Sequence, residues 1–171
     1  MPTFAISAMG RDRPGIIAAV AEPLAAHGVN ITDSQMGILR GHFALTIIGS
    51  ASEGTDAGIL ERDLRGVADR LELEAMTVRA VDEAPSAREE PTHTITVHGA
   101  DHPGILAAVT AALAAEGANV CDLQTRLAGD VWVMHLEAVV DDEPRLRERL
   151  DAVAAQQSVE VVVRPAGADV L

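Results

Sequence analysis

Gly10-Arg-Asp-Arg-Pro-Gly15 and Gly99-Ala-Asp-His-Pro-Gly104 are one phrase written twice, 89 residues apart. The same shift lays Ile16 on Ile105, Val20 on Val109, Leu24 on Leu113, Gly28 on Gly117, Asn30 on Asn119, Asp33 on Asp122 and Gln35 on Gln124. From Gly10 to Gln35, 15 of 26 positions are identical without a gap. The register runs on through Phe43 on Trp132, Leu45 on Met134 and Ile47 on Leu136. It stops at the next loop, which is longer in the first copy (Ser50–Gly58) than in the second (Asp141–Pro144). A repeat of this length at a fixed offset means a duplicated domain.

Outward from the phrase, each copy reads alike. Phe4, Ile6 and Ala8 alternate with Thr3, Ala5 and Ser7, the period of a half-buried strand. After the Gly-bounded turn, Ile16, Val20 and Leu24 recur at helical spacing until Gly28 stops the helix. Asn30–Leu39 and His42–Ile48 are extended runs joined at Arg40-Gly41, a hairpin signal. Leu60, Leu64, Val67 and Leu71 mark a second helix, and Ala75–Val81 a last strand. The second copy gives Thr94–His98, Ile105–Glu116, Asn119–Leu127, Val131–Val140, Leu146–Ala155 and Val159–Arg164 in the same order.

That order is βαββαβ, twice. It predicts an α+β chain of two ferredoxin-like domains, each a four-stranded antiparallel sheet with two helices on one face. Right-handed crossovers put the first and third strands at the centre and the polar second strand at an edge. The expected limits are 1–82 for the first domain and 92–165 for the second. Between them, 83–91 is a polar, proline-bounded linker, and 166–171 is a tail. Pro23 falls inside the first helix and Ala112 is its counterpart, so a kink is expected in the first helix alone, with unequal sites as a consequence.

Composition removes several classes of function. Thirteen basic residues, all Arg, against 26 acidic ones give a net charge of −13, without the footprint for nucleic acid or an anionic membrane. With Phe4, Phe43 and Trp132 as the whole aromatic set, base-stacking platforms are excluded. One cysteine, Cys121, excludes an internal disulfide framework and a cysteine-built zinc site. It aligns with Thr32 and reads as a small, buried or half-buried residue. No basic-then-apolar leader opens the chain and no apolar run nears the ~20 residues of a membrane span, so a cytoplasmic protein is the expectation.

A ferredoxin-like fold does not fix function, and its branches have to be tested on residues. The heavy-metal branch needs a C-x-x-C loop, which is absent. The acylphosphatase branch needs a phosphate-cradling Arg, and Arg11 and Arg13 become Ala100 and His102 in the second copy. The pattern G-x-D-x-P-G-I, a helix ending in Gly and an Asn-led edge strand resembles the ACT domain, an amino-acid-sensing module. Gly10–Asp33, running on through Ser34-Gln35, looks especially like the ACT segment of formyltetrahydrofolate deformylase. The ACT pair of some phosphoserine phosphatases is similar. A tandem of two such domains resembles the glycine cleavage system transcriptional repressor family.

The turn can be read chemically. A helix N-terminus offers unpaired N–H groups and partial positive charge, which suits a carboxylate. Pro14 fits an early helical position and Gly15 keeps a side chain off the backbone. The resemblance implies an amino-acid site at Asp12, Arg13, Gly15, Ile16, Ile17, Asn30 and Ile31. Its counterpart is at Asp101, His102, Gly104, Ile105, Leu106, Asn119 and Val120, each lying against a neighbouring domain's edge strand. The amides of Gly15, Ile16 and Ile17, or of Gly104, Ile105 and Leu106, would be donors, and Asn30 or Asn119 would fix the ligand through a side-chain amide.

Plainer readings of the same residues stand beside this one. Asp12 and Asp101 suit helix caps, Asn30 a turn after the helix stop, and Arg11 and Arg13 surface ion pairs. His98, Asp101 and His102 are close enough in sequence to weigh as metal ligands. Met9, Asp12 and Arg13 replace them in the first copy, which counts against a shared metal site, and no metal or other cofactor is expected. His135 aligns with Thr46 on a polar face, and Trp132 with Phe43 in the core.

The expected function is a non-enzymatic regulatory protein that senses a small amino acid, glycine or serine, and acts by protein contact. Edge strands invite pairing, as a homodimer or between the two domains of one chain. The protein partner would be a transcription factor, giving indirect transcriptional control, or a metabolic enzyme. The alternative is a detached regulatory subunit of an amino-acid or one-carbon/folate enzyme. An acylphosphatase-like hydrolase lacks its catalytic pattern.

Overall fold

The structure, a computed structural model, describes residues 1–82 and 89–167. The chain divides into two compact units, one on each side of residues 83–88. Most of the expected linker, and residues 168–171 of the expected tail, lie outside the described residues.

In the first unit, strand β1 (Thr3–Arg11) leads to helix α1 (Ile16–Ala26), the hairpin β2 (Asn30–Leu39) and β3 (His42–Ser50), helix α2 (Ala57–Leu71) and β4 (Ala75–Val81). The second unit repeats this as β5 (His93–Ala100), α3 (Ile105–Ala115), β6 (Asn119–Ala128), β7 (Val131–Val139), α4 (Glu143–Gln157) and β8 (Val159–Pro165). The sheet orders are β2-β3-β1-β4 and β6-β7-β5-β8, antiparallel throughout, so the first and third strands of each copy are central as the pattern requires.

Alternation decides which face is buried. Phe4, Ile6 and Ala8 of β1 and Phe43, Leu45 and Ile47 of β3 meet Ile16, Val20 and Leu24 of α1 and Leu60, Leu64 and Val67 of α2 in one core. Ile95, Val97, Met134, Leu136, Ile105, Val109, Leu113, Leu146 and Leu150 build the second. Each fully buried aliphatic side chain contributes about 1.5–3 kcal/mol, so these stripes dominate the stability of each sheet–helix sandwich. Trp132 is half-buried at the rim of the second core rather than inside it like Phe43. His135 is exposed, as its polar-face position predicts.

Pro23 does not shorten α1, which runs through it for 11 residues, the same length as α3. Both edge strands carry a bulge at the same place, between Ile31 and Asp33 and between Val120 and Asp122. Thr32 and Cys121 are the extra residues. The Thr32 hydroxyl donates to the Ile48 carbonyl at 3.2 Å.

The helix pair of each unit is tied at one equivalent point by opposite chemistry. In the first, His27 Nε2 lies 2.8 Å from Asp63 Oδ2. The hydrogen bond from His27 outweighs partial burial and, with Arg62 beside it, holds the Asp63 carboxyl below its ordinary range. In the second, Glu116 stands where His27 does; its side chain is 7% exposed, and it accepts from Arg149 Nε at 2.5 Å with Arg145 Nε at 3.4 Å. A further tie without a counterpart joins His93 Nε2 to Glu143 Oε2 at 3.1 Å, and Arg147 donates to the same carboxylate. Arg147 and then His93 hold Glu143 below its ordinary range.

Candidate functional site

Four helices start in two different ways. The N-caps of α2 and α4 are Asp56 and Asp142, whose carboxylates accept from Gly58 N (2.8 Å) and Ile59 N (3.2 Å) and from Arg145 N (3.1 Å). The N-caps of α1 and α3 are Gly15 and Gly104, at φ 91° and 106°, with no side-chain cap. Only glycine adopts that backbone readily. Asp12 and Asp101 therefore do not cap, and the amides of the first turn stay without a side-chain acceptor. Pro14 and Pro103 lie in the turn before the N-cap rather than in the helix.

The loops are set by the first glycine of the repeated phrase. A Cβ on Gly10 would stand 3.2 Å from the Leu73 backbone, and one on Gly99 3.2 Å from that of Val159. Both glycines thus let the central strand pass close under the chain that leaves the second helix. Beyond Gly10, the Asp12 amide donates to the Gly41 carbonyl at 2.9 Å and fixes the loop over the β2–β3 turn.

In the first unit this leaves a cleft of about 340 Å³ lined by Asp12, Arg13, Gly15, Ile16, Ile17 and Met36, with Pro14, Ala18 and Phe43 completing the wall. Ile16 is buried while Ile17 is 49% exposed, so the helix start presents backbone and one aliphatic side chain to solvent. Arg13 Nη2 reaches Glu72 Oε2 at 3.6 Å, an exposed pair of little energetic weight.

The second loop is built from the same phrase and tied differently. His102 Nε2 lies 2.8 Å from the Gln157 carbonyl and Nδ1 3.2 Å from that of Pro103. These carbonyls, Gln157 first, raise the imidazole above its ordinary 6.5. Gln157 Oε1 lies 3.7 Å from where a Cβ on Gly104 would be, whereas Gly15 has open space there. His98 turns away to Glu160 at 3.2 Å, and among the described residues no group of three or more His, Cys, Asp or Glu can hold a metal ion.

Asp12, Arg13, Gly15, Ile16 and Ile17 line one cleft, and Asp101, His102, Gly104, Ile105 and Leu106 form the matching loop. Asn30 and Ile31 do not join the cleft of their own unit. Asn30 pairs with Ser50, seven residues along β3 from the cleft residue Phe43, roughly 23 Å at strand spacing. Asn119 and Val120 lie at the same remote end, and Asn119 Nδ2 donates to Glu89 Oε2 at 2.9 Å. From the edge strand, Met36 is the residue that reaches the cleft. Its signal was present: it sits two positions before Ile38 on the apolar side of β2 and pairs with the core residue Leu45.

A pair of ferredoxin-like domains, each opening its first helix at a left-handed Gly after a G-x-D-x-P-G turn, defines a class of regulatory module. Residues 3–78 and 93–155 match the ACT domain, and the chain belongs to the ACT-domain family. It is a tandem of two ACT regulatory domains. Phosphoserine phosphatase SerB2 of Mycobacterium tuberculosis is 32% identical over 168 residues, 95% of this chain and 40% of that protein. The chain thus spans about two fifths of the length of that relative. A crystal structure of an unknown protein from Galdieria sulphuraria is 25% identical with a TM-score of 0.76, covering 96% of this chain and 98% of its own. A candidate glycine cleavage system transcriptional repressor shares the fold at 22% identity and a TM-score of 0.73, covering 96% of each chain. Among the described residues no helix is long and apolar enough to cross a membrane.

Proposed function

We propose that this chain is a non-enzymatic sensor of a small amino acid that acts by protein contact, with units of 1–82 and 92–165. The observation that carries the reading is the cleft of about 340 Å³ at the start of α1, where backbone amides lack a side-chain cap. A ligand carboxylate completes those amides and meets the positive end of the helix dipole. Gly15, Ile16 and Ile17 donate, Arg13 adds a cation, and Asp12 is placed to meet an ammonium group.

The remote ends of β2 and β6 belong to the same proposal. Asn30, Ile31, Asn119 and Val120 serve a neighbouring domain's loop once two edge strands pair. The ten exposed residues of β2 support that pairing. Ligand at such a seam changes the stability of the contact, which is a coupling free energy and hence regulation. Glycine is favoured by the likeness in fold to the candidate glycine cleavage repressor and serine by the phosphoserine phosphatase relative. A DNA-binding partner would carry any transcriptional effect, since the chain's charge opposes direct contact with DNA.

The test is a thermal-shift screen against the twenty amino acids, followed by calorimetry on Gly15→Ala and Arg13→Ala. A ligand at ~100 times its Kd adds about 2.7 kcal/mol to the folded state. A shift with glycine or serine that Arg13→Ala weakens supports the reading. The absence of a shift with all twenty sinks it for the isolated chain. A second reading, a detached regulatory subunit of an amino-acid or one-carbon enzyme, rests on the 32% identity to a phosphoserine phosphatase. Co-purification separates the two: a catalytic chain in the eluate supports the subunit, a transcription factor the regulator.

A further inference from the structure

The chain that enters β5 is fastened before the strand begins. Thr92 is fixed to the far end of β7: its amide donates to the Ala138 carbonyl at 3.0 Å, and its hydroxyl accepts from the Val140 amide at 2.9 Å. Glu89, three residues upstream and part of the same compact unit, lies against the edge strand beside it. Asn119, the first residue of β6, donates from Nδ2 to Glu89 Oε2 at 2.9 Å. The Cys121 Sγ has the Glu89 carbonyl oxygen at 3.6 Å and that of Asn119 at 3.8 Å. Side chain and backbone of one residue therefore lie on β6 from its start to its bulge.

Alternation gives the side of the sheet. Leu136 and Ala138 of β7 are buried in the core, so Glu137 and Val139 face the other way. Asp122 and Asn119, their partners on β6, share that helix-free face. Exposure records the cover independently. In β6, Cys121 and Asp122 are half-buried, whereas their counterparts Thr32 and Asp33 are exposed with the whole of β2.

The cover is held lightly. Among the described residues no backbone hydrogen bond joins Glu89 or Glu90 to β6, so the chain here is not an added strand. It rests on one charge-assisted bond from an exposed side-chain amide and on a weak thiol contact.

We propose that Glu89 is an intramolecular plug for the Asn119 end of β6: its carboxylate occupies the Asn119 side-chain amide and its backbone shields the Cys121 thiol, so whatever engages this end must first displace it. The two units are then unequal at this end, with Asn30 open and Asn119 filled by the chain's own carboxylate. That Asn119 also serves a ligand rests on the sensor reading; the plug itself does not.

The experiment follows alkylation of Cys121, the one cysteine of the chain, by iodoacetamide in the folded full-length protein, with intact mass as the readout. Glu89→Ala removes the acceptor. Glu89→Gln removes the same charge but keeps an oxygen for the Asn119 amide, so the pair differs in the bond and not in the charge near the thiol. Glu90→Ala removes a neighbouring charge. The expected result is that Glu89→Ala labels about two- to tenfold faster than Glu89→Gln, the effect of one hydrogen bond released. Glu90→Ala should keep the wild-type rate. Asn119→Ala should speed labelling as Glu89→Ala does, and the double variant no further, because both remove one contact.

Equal rates in Glu89→Ala and Glu89→Gln overturn the plug. So do a Glu90→Ala rate matching that of Glu89→Ala, and additive effects in the double variant. A wild-type rate equal to that of the urea-unfolded chain overturns it without any variant. Glu89, Glu90 and Asn119 are all exposed and outside both cores, and thermal melts confirm that each variant is folded. No amino acid is present during labelling, so failure of the plug and failure of the sensor reading are separate results.

Discussion

The two helix-pair ties, His27 with Asp63 and Glu116 with Arg149, occupy one geometric position with their charges exchanged. After duplication the attraction between the end of one helix and the flank of the next was kept, while the sign at each end was free to change. What the fold requires at this point is complementarity, not a particular residue. The exchange has a chemical consequence. The second tie joins a carboxylate to guanidinium groups, whereas the first joins a carboxylate to an imidazole. The second is also better shielded, with its carboxylate 7% exposed against 38% for Asp63.

The equivalence of the two scaffolds is exposed first to core truncation. Leu64→Ala and Leu150→Ala, at matching buried positions, should each cost about 2–5 kcal/mol, read by calorimetry as a lowered transition for one unit. A loss confined to one of the two would break the comparison at its base. The ties come next. Arg149→Ala, which strips a charge-assisted bond from a shielded carboxylate, should destabilise the second unit by about 1–3 kcal/mol in urea melts. Asp63→Asn should cost the first unit less, since that pair is open to solvent; the reverse ranking would mean that shielding does not set the strength of the tie.

The glycine caps give a smaller and equal effect. Gly15→Ala and Gly104→Ala each place a Cβ at a left-handed φ, a strain of about 1–2 kcal/mol, with no backbone in the way. A neutral outcome in thermal melts would show that the loops relax freely. The smallest effect is the acid limb. Asp63 and Glu143 both titrate below their ordinary 3.8 and 4.5, so the stability they lend is present above those values and lost as pH falls through the folded ones. Melts between pH 5 and pH 2.5 should show a flatter acid limb for the first unit in Asp63→Asn and for the second in Glu143→Gln. Unchanged limbs would remove these two carboxylates as its source.

Most of the architecture was legible because duplication writes each signal twice. Strand and helix periods, Gly28 and Gly117 after the helices, and Arg40-Gly41 in the hairpin all agree with the elements that form. Whether Asp12 and Asp101 cap their helices was not legible, because Asp before a helix usually accepts from its first turn. Here a left-handed Gly15 redirects the chain, so the Asp12 side chain is not the cap. Pro23 fits inside α1 because a helix of 11 residues held by Val20 and Leu24 in the core tolerates one missing bond. The charge-exchanged tie could not be read at the 89-residue offset. The shorter second loop moves the later helix to an offset of 86, where Leu60 falls on Leu146 and Asp63 on Arg149. The remoteness of Asn30 from Gly15 follows from α1 itself, which runs about 16 Å between them at ~1.5 Å per residue.

The paired bulges have a consequence for selectivity against unwanted assembly. A ten-residue edge carrying exposed Ile31, Met36, Ile38 and Leu39 is the kind of flat, apolar template onto which any extended chain can add. The extra residue Thr32 bends the strand and steepens its twist, and the carboxylate of Asp33 follows at once. A stray flat segment finds only Asp33–Leu39 in register, while a strand with its own kink in the right place can use the whole edge. β6, interrupted at Cys121, has that shape. The kink thus shortens the flat stretch of edge onto which an extended chain could add.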